Sequence, residues 1–487
     1  MKNRLSWLVA VPLSLFIGCA SVPEPAPVAP VPTARQLAWQ DLGFYGFIHF
    51  GPNTFLDKEW GYGDADAAVF NPTELDCEQW VTVAKEAGMK GLILTAKHHD
   101  GFCLWPSKYT DYSVKASRWK QGKGDVVGEL AAACRRHGLK LGLYLSPWDR
   151  NHPDYGTPAY IDYYRAQLRE LLTGYGELFE IWFDGANGGD GFYGGARDVR
   201  HVDRKNYYDW PNTWQIVREL QPNAVMFSDA GPDVRWVGNE QGWAEESNWS
   251  PFLREEAWPG WPRYLENRSG HEHGSHWVPA EADVSIRPGW FYHASQDSAV
   301  KTVEQLREIF FKSVGRNANL LLNLPVDRRG LVHEIDAARL KAFGRRIADD
   351  FKTDLALGKP VKASQIRGKH ARFAAVHVTD GDAATYWAMN DGSTEGWLEI
   401  DLEEAVAFNC MALQEKIALG QRVKSFAVDV FTDGTWHTVA EASTIGHRRL
   451  LRFPEVDASR VRIRFLDGKA CPCIHTVGLY RTAVCGI

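Results

Sequence analysis

Short apolar runs alternate with amphipathic segments through the first two thirds of the chain. The runs are almost continuously hydrophobic, which is typical of strands buried on both faces of a parallel sheet. They lie at 43–51, 91–102, 140–148, 179–186 and 224–229. Between them, apolar residues recur every three or four positions and predict helices, at 75–89, 124–138, 160–176 and 207–223. A last helix and strand are predicted within 304–326, and a further helix is expected to end near Leu357.

This alternation predicts an α/β fold. Six or more strand–helix units, without a G-x-G-x-x-G motif or a P-loop, favour a (β/α)8 barrel over a doubly wound sheet. Residues 230–300 are rich in Trp, Pro and Gly, and their strands are hard to place. We therefore expect an irregular (β/α)8 TIM-like barrel over residues 37–350.

After this region the hydrophobic pattern changes to a period of two. Stretches such as WLEIDLE and SFAVDVFTDGTWHTVA alternate apolar and polar residues and are separated by turn residues. Such a pattern predicts an all-β antiparallel sandwich, here over residues 358–487. Its segment 413–423 is a candidate to reach the mouth of the barrel.

The N-terminus has the features of an export signal. A basic start precedes an apolar stretch that is too short to span a bilayer, and Phe16-Ile17-Gly18-Cys19 resembles a bacterial lipobox. We expect a lipoprotein-type signal peptide over residues 1–19 with Cys19 lipidated, and Phe16 in place of the usual Leu leaves ordinary secretory cleavage as the alternative. The Pro-rich residues 20–36 predict an extended, poorly ordered tether. The protein is thus expected in the bacterial periplasm or outer membrane.

Composition narrows the partners. The net charge is −6 and no basic block occurs, so nucleic acid is not an expected partner. The 20 Trp and 17 Tyr mildly favour carbohydrate, because flat rings stack on the apolar faces of sugars. Of eight cysteines, the seven beyond Cys19 are scattered without zinc spacing, so we expect no structural metal and at most one or two disulfides.

Polar side chains stand at the carboxyl ends of successive predicted strands, where barrels place their active sites. These side chains are His49, His98, His99, Tyr144 and Asp184. Each one alone is compatible with a hydrogen-bonded loop residue, but together at four strand ends they predict one site. Because adjacent residues on a strand point to opposite faces, the two neighbouring histidines are poor joint metal ligands. A nucleophilic-serine triad is also disfavoured, since the chain has no G-x-S-x-G motif.

Glycoside hydrolysis fits these residues better. It needs two carboxyl groups on either side of one bond. Asp184 ends a strand and precedes a Gly-rich loop, so it is the candidate nucleophile. The partner acid is expected in VRWVGNEQGWAEESNWS, where Glu240, Glu245 and Glu246 remain open as alternatives.

Four motifs in order, FIHFG, TAKHHDGF, YLSPWD and WFDGANG, resemble glycoside hydrolase family 29, the α-L-fucosidases. The resemblance covers about residues 36–350 and implies that Asp184 is the nucleophile. It further implies that fucose is bound by His49, Glu59, Trp60, His98 and His99, with Tyr144 beside the sugar. Neutral histidines would serve there as hydroxyl clamps, each with one donor and one acceptor, and Trp60 as a flat wall.

Further resemblances concern the leaving-group side and the C-terminal domain. RWVGNEQG is similar to the subgroup that prefers α-1,3- or α-1,4-linked fucose, which implies Glu240 as acid/base ahead of Glu245 and Glu246. The segment 279–293 resembles a family segment and implies that Trp290 lines the pocket, with a core aromatic as the alternative. The C-terminal part resembles discoidin-like, coagulation-factor type C sandwiches, which implies either a carbohydrate-binding module or a structural support.

The function implied by these resemblances is that of a retaining, exo-acting α-L-fucosidase. It would hydrolyse terminal α-1,3/1,4-linked fucose from oligosaccharides or glycoconjugates through a covalent fucosyl-enzyme, without a metal or organic cofactor. Contact with a membrane would be made only through the lipid anchor. The alternatives are a carbohydrate-binding surface lipoprotein without turnover and a broad-specificity α-L-fucosidase of the other subgroup.

Overall fold

A computed structural model describes residues 22–186 and 191–483 of the chain. Cys19 and the predicted signal peptide lie outside these residues. The strands before residue 330 are, in chain order, β1 (Phe44–Ile48), β2 (Gly91–Lys97), β3 (Lys140–Leu145), β4 (Leu178–Trp182), β5 (Gly191–Tyr193), β6 (Asp198–Arg200), β7 (Val225–Ser228), β8 (Val234–Trp236), β9 (Pro251–Phe252), β10 (His276–Trp277), β11 (Ala280–Ser285) and β12 (Ala318–Asn323).

Eight helices accompany these strands in the described part of the chain. They are α1 (Ala34–Gln40), α2 (Pro52–Leu56), α3 (Cys77–Glu86), α4 (Val126–His137), α5 (Pro158–Gly174), α6 (Trp210–Leu220), α7 (Val303–Ser313) and α8 (Glu334–Asp350). None of the described helices is long and apolar enough to cross a membrane. Helix α8 ends at Asp350, earlier than the predicted end near Leu357, because Phe351 leaves the helical conformation and closes the last turn.

Eight strands close into a parallel barrel in the order β1-β2-β3-β4-β7-β8-β11-β12, with β12 returning to β1. The predicted barrel is therefore confirmed, and so is its irregular part. Strand β8 follows β7 after the five residues 229–233, with no helix between them. Residues 237–279, between β8 and β11, contain only two-residue strands and short 3-10 turns.

Local sequence explains where the outer helices begin and end. The Asp76 carboxylate accepts hydrogen bonds from the first backbone amides of α3, and Asp125 caps α4 in the same way. Gly138, at φ 72°, ends α4 in the left-handed conformation that favours glycine. Acidic caps at one end and a glycine stop at the other let each helix turn back to start the next strand.

The barrel interior is built in layers, because every second residue of a strand points inward. On β4 and just beyond it, these inward residues are Glu180, Trp182 and Asp184, from the lower layer to the mouth. Side chains of the middle layer are aromatic, and Trp182 stacks on Phe227 with ring centroids 4.2 Å apart. An aromatic layer thus separates a polar lower layer from the polar mouth.

The C-terminal domain is an all-β antiparallel domain, as predicted. Its strands are β13 (Val361–Ala363), β14 (Trp387–Ala388), β15 (Gly396–Glu415), β16 (Val423–Thr432), β17 (Thr435–Ala442), β18 (Arg449–Gly468) and β19 (Cys473–Tyr480). They pair in the order β14-β19-β15-β18-β16-β17, with β13 beside β15. Register shifts interrupt β15 against β18, and such bulges bend long strands around their own hydrophobic core.

Polar and apolar contacts join the two domains. The amide of Ser250 donates to Gln421 Oε1 at 2.8 Å, and the amide of His447 donates to Asn317 Oδ1 at 2.8 Å. Leu450, on β18, packs into the hydrophobic cluster of the barrel. The six cysteines in the described residues are all buried and free, so no disulfide contributes to either domain there.

The Pro-rich segment differs from the predicted free tether. Residues 22–33 are extended, as expected, but they lie along the C-terminal domain. The buried Arg422 donates to the carbonyl of Ala26 at 2.6 Å, and Arg367 donates to that of Pro23 at 2.7 Å. The amide of Val28 donates to the carbonyl of Leu419 at 2.9 Å. Because this segment forms no helix or strand, its carbonyls have no partners in regular secondary structure, and two buried guanidinium groups donate hydrogen bonds to them.

Candidate active site

A cavity of about 460 Å³ opens at the carboxyl ends of the barrel strands. Its size is ordinary for a small-molecule site. Its charged or polar lining comes from β-strand ends and from the loops that follow them. These lining residues are His49, Glu59, His98, His99, Asp184, Arg204, Asp229, Glu240 and Asp283, and the aromatic ones are Phe47, Trp60, Trp182, Phe227, Trp236, Trp261, Tyr264 and Trp290.

Asp184 stands at the end of β4 with both carboxylate oxygens held. Its Oδ1 accepts from the amide of Ala186 at 2.7 Å, and its Oδ2 accepts from the hydroxyl of Tyr144 at 2.9 Å. Burial raises the pKa of this carboxyl, and the two hydrogen bonds oppose that rise. His99 Nε2 lies 3.5 Å from Oδ2, so the carboxylate is fixed in orientation but remains open toward the cavity.

The three histidines of the cavity are held in their neutral form. Burial lowers the pKa of His49 to about 3 and that of His99 to about 3, and it lowers the pKa of His98 well below the usual range. The mutual repulsion of the histidines adds to this effect on His98. A neutral imidazole offers one donor and one acceptor, which is the capability that the hydroxyl-clamp hypothesis needs.

The partners of the rings indicate which nitrogen carries the proton. His49 Nδ1 lies 2.8 Å from Asn323 Oδ1, while the Asn323 amide group donates elsewhere, so Nδ1 is the donor. His99 Nδ1 lies 2.8 Å from the hydroxyl oxygen of Ser146, which itself donates to the carbonyl of Trp148. In His49, Nε2 is therefore left with a free lone pair, suited to accept a hydrogen bond from a ligand hydroxyl, whereas Nε2 of His99 lies beside Asp184 Oδ2.

Glu59 and Trp290 form one wall together. The Glu59 carboxylate accepts from the amides of Trp290 and Phe291, at 2.8 and 3.2 Å, and contacts His293 Nε2 at 2.6 Å. Trp290 lines the cavity and is not enclosed in the core. Trp60 is 53% exposed and presents its indole at the opening, edge-on to His99. Of the predicted pair, Glu59 thus anchors the loop that carries Trp290, and Trp60 supplies an accessible aromatic ring.

Of the three candidate acids, only Glu240 lines the cavity. Its Oε2 accepts from Trp290 Nε1 at 3.3 Å. Partial burial against the wall raises the pKa of Glu240, and the negative charges of Asp184 and Glu59 add to the rise. Glu245 instead pairs with Arg268 at 2.8 Å, and Glu246 pairs with Arg316 at 2.9 Å beside the C-terminal domain.

Two further carboxyl groups of the cavity were missed by the sequence reasoning. Asp229 follows β7, and its Oδ2 accepts from the amide of Gly260 at 2.9 Å. Burial, reinforced by the charge of Asp184, raises the pKa of Asp229 to about 7. Asp283, on β11, accepts from Trp236 Nε1 at 2.6 Å, and burial raises its pKa well above the usual range. For Asp229 the sequence does hold a signal, because Asp229 lies two residues after Phe227 and alternate residues of a strand point to the same side.

Two other expectations need correction. Tyr144 does not line the cavity, because its ring is buried in the aromatic layer and its hydroxyl is used to hold Asp184. It therefore lies below the nucleophile candidate, not beside the space for a sugar. The segment 413–423 does not reach the mouth either; its Gln421 contacts Asn248 and Ser250 at the domain interface.

Among the described residues, neither His98 nor His99 belongs to a converging group of three potential metal ligands. The one such group in the described part of the chain is Asp327, His333 and Glu334, away from the cavity. Arg329 already neutralises that group through ion pairs to Asp327 and Glu334. Asp100, next to the two histidines, is buried and accepts from the amide of Phe102.

Comparison with known proteins identifies the family of each domain. The family model described as α-L-fucosidase matches residues 39–349, and the model described as F5/8 type C domain matches residues 360–476. The chain is 45% identical to α-L-fucosidase 1 of Arabidopsis thaliana over 94% of this chain and 89% of the relative.

Solved structures give the same result. A glycoside hydrolase 29 family member from an unknown rumen bacterium superposes with a TM-score of 0.84 at 46% identity, over 95% of this chain and 79% of that one. A Ruminococcus gnavus GH29 fucosidase in complex with fucose superposes with a TM-score of 0.84 at 34% identity, over 95% and 97%. The chain belongs to the α-L-fucosidase family, glycoside hydrolase family 29, and carries an F5/8 type C domain after the catalytic barrel.

Proposed function

We propose that this α-L-fucosidase is a retaining, exo-acting enzyme in which Asp184 is the nucleophile and Glu240 is the acid/base. The observation that carries the proposal is the pairing of these two carboxyl groups in one cavity. Asp184 is held by Tyr144 and Ala186, whereas Glu240 stands at the rim with a raised pKa. A fixed carboxylate opposite a protonatable one is what double displacement at an anomeric carbon requires.

The proposed reaction has two steps. Protonated Glu240 gives its proton to the leaving oxygen while an Asp184 oxygen bonds to the anomeric carbon and the glycosidic bond breaks. Glu240, now ionised, takes a proton from water, and the water oxygen displaces Asp184 with net retention. Several acidic groups face one another in this cavity, which keeps a proton on Glu240 at the start of the cycle.

Fucose itself is proposed to be held by the three histidines and the aromatic walls. The free Nε2 lone pair of His49 accepts from a sugar hydroxyl, His99 contacts the sugar beside Asp184, and neither ring moves the catalytic proton. Trp60 and Trp290 supply apolar faces for the ring and its methyl group. Nothing in this scheme requires a metal or an organic cofactor.

The linkage preference is proposed to be α-1,3/1,4, on fucosylated oligosaccharides or glycoconjugates. The support is the RWVGNEQG motif around Glu240 and a cavity whose lining also includes Trp261 and Tyr264, from the irregular loop that carries Glu240. This part of the cavity leaves space for sugars on the leaving-group side. The alternative is the broad-specificity subgroup, and release of fucose from Lewis-type trisaccharides and from 2′-fucosylated lactose, measured side by side, separates the two.

The central test compares two variants on two substrates. Asp184→Ala is expected to abolish release of fucose from every fucoside, and the anomer first released by the wild type is expected to be α by NMR. Glu240→Ala should slow poor leaving groups far more than an activated aryl fucoside, since only the former need a proton donor. Equal losses on both substrates would exclude Glu240 as the acid/base, and release of the β anomer would exclude retention.

We further propose that the protein is exported and lipidated at Cys19, in the periplasm or at the outer membrane. The support is the lipobox-like sequence Phe16-Ile17-Gly18-Cys19, which directly precedes the Pro-rich segment. Incorporation of a labelled fatty acid by the wild type, and its loss in Cys19→Ser, is the expected result. Secretion of an unlabelled wild-type protein would favour ordinary signal cleavage.

A further inference from the structure

Two glutamates lie beneath the floor of the cavity, in the lower layer of the barrel. Glu180 comes from β4 and Glu281 from β11, and both are fully buried. Their carboxyl groups are within hydrogen-bonding distance of each other. Like charges at such a distance in a buried site repel strongly, so the arrangement needs an explanation.

Counting donors shows that the pair lacks one proton. Trp39 Nε1 donates to Glu180 Oε2 at 2.8 Å, and Trp182 Nε1 donates to Glu281 Oε1 at 2.7 Å. The Tyr45 hydroxyl donates to Glu281 Oε2. Glu180 Oε1 alone has no donor among the described residues.

A proton on Glu180 Oε1 gives each of the four carboxyl oxygens a hydrogen bond. It turns the oxygen without a donor into a donor to Glu281, which stays ionised and accepts from Tyr45 and Trp182. With both groups ionised, Oε1 would remain unpaired next to a second negative charge. With both protonated, one hydroxyl would lack an acceptor. The other titratable groups facing the pair are Tyr45 on β1 and Asp283 on β11, and neither is a cation.

Glu281, the member of the pair that accepts hydrogen bonds, holds an aromatic side chain of the active site. Trp182, bonded to Glu281, lines the cavity. Its ring stacks on Phe227 and on Tyr144, with ring centroids 4.2 and 5.4 Å apart. Tyr144 in turn donates to Asp184, which is two residues beyond Trp182 on the same chain. A continuous set of contacts therefore connects the pair to the candidate nucleophile.

We propose that Glu180 and Glu281 share one proton, carried by Glu180, and that the ionised Glu281 is a positioning residue that orients Trp182 and thereby Tyr144 and Asp184. The inference rests on Asp184 as the proposed nucleophile for its effect on turnover, but not for the protonation of the pair. Burial and the neighbouring charge of Glu281 raise the pKa of Glu180 well above its usual range, whereas burial raises that of Glu281 to about 7, so Glu180 is the member of the pair that holds the proton more tightly.

The test uses two matched variants of the full chain. Glu180→Gln places an amide N–H where the proposed proton lies, so the variant is expected to fold and to keep most of its activity on an aryl fucoside. Glu281→Gln cannot accept from both Tyr45 and Trp182, because its amide nitrogen only donates. We expect kcat to fall about tenfold or more with KM changed less than about threefold, as for a lost buried acceptor.

Two readouts go beyond a merely structural effect. The infrared difference spectrum of wild type minus Glu180→Gln should show the C=O band of one buried protonated carboxyl, because the other carboxyls with raised pKa, such as Asp229 and Asp283, are common to both proteins and cancel. The folded-state pKa of Glu180 lies above its unfolded one, so the wild type should lose stability as pH rises, up to about tenfold in the unfolding equilibrium constant per pH unit. Glu180→Gln should remove one proton from that pH dependence.

The proposal is overturned if this difference spectrum shows no C=O band and Glu180→Gln keeps the wild-type pH dependence, or if Glu281→Gln turns over as fast as Glu180→Gln. Should Glu281→Gln fail to fold, Trp182→Phe removes the N–H donor to Glu281, together with the second ring of the indole, and keeps an aromatic ring. Lower kcat in Trp182→Phe, with the infrared band retained, is then the supporting result, and unchanged kcat is the refuting one. An active Asp184→Ala would overturn the nucleophile while leaving the infrared result intact.

Discussion

Gly185 follows the candidate nucleophile, and the structure gives it no room for a side chain. A Cβ atom built on Gly185 would lie 1.9 Å from Asp229 Oδ1 and 2.1 Å from Oδ2. Real Cβ atoms essentially never approach closer than 3.0 Å, so Gly185→Ala forces a displacement of about 1 Å. Asp229 is held by the amide of Gly260, and Asp184 is directly joined to the substituted residue.

The displacement can be converted into a rate. Misplacing a reacting group by about 1 Å lowers the rate on the order of 10²-fold, which corresponds to an activation free energy raised by about 2.7 kcal/mol. We therefore expect kcat of Gly185→Ala on an aryl fucoside to fall about 10²-fold. The protein should remain folded, since the change lies at the mouth and not in either hydrophobic core.

A double variant identifies the cause. All three atoms nearest to the added Cβ belong to the Asp229 carboxyl group, so Asp229→Ala removes the collision. The double variant Gly185→Ala/Asp229→Ala should be about as active as Asp229→Ala alone, a strongly non-additive result. Wild-type kcat in Gly185→Ala, or losses that simply multiply in the double variant, would refute the reasoning.

Three further predictions follow from buried or exposed charges. His49 has a folded-state pKa of about 3, below its unfolded value, so the free energy of unfolding decreases as pH falls below about 6.5. His49→Gln should reduce this pH dependence by about 1.4 kcal/mol per pH unit, as measured by thermal or urea unfolding. Arg422→Met leaves the carbonyls of Ala26 and Cys471 unpaired and should destabilise the fold by about 2–3 kcal/mol in urea unfolding, with the aryl-fucoside kcat unchanged. Glu246→Gln, which alters only an exposed ion pair, should keep kcat within about twofold, and a loss as large as that of Glu240→Gln would return Glu246 to candidacy.

The layered interior explains why some site residues are visible in the sequence. His49, His98, His99 and Asp184 each follow an apolar run, and a parallel barrel brings all such strand ends to one mouth. Asp229 satisfies the same rule, but its strand, β7, is only four residues long and leads to β8 without a helix. A short strand gives too few alternating positions to tell an inward carboxylate from a turn residue.

Local pattern by itself determined the barrel, the β domain after it and the polar strand ends, because strand and helix periodicities depend on neighbouring residues. Only the tertiary structure showed that Glu240 lines the cavity and that Glu245 and Glu246 do not, since all three lie in one irregular loop and the fold of that loop places them. Closure of the barrel likewise joined Glu180 to Glu281 across about a hundred residues, and packing of the Pro-rich segment on the C-terminal domain brought it to two buried arginines. Such contacts depend on which surfaces meet, and no local pattern carries that information.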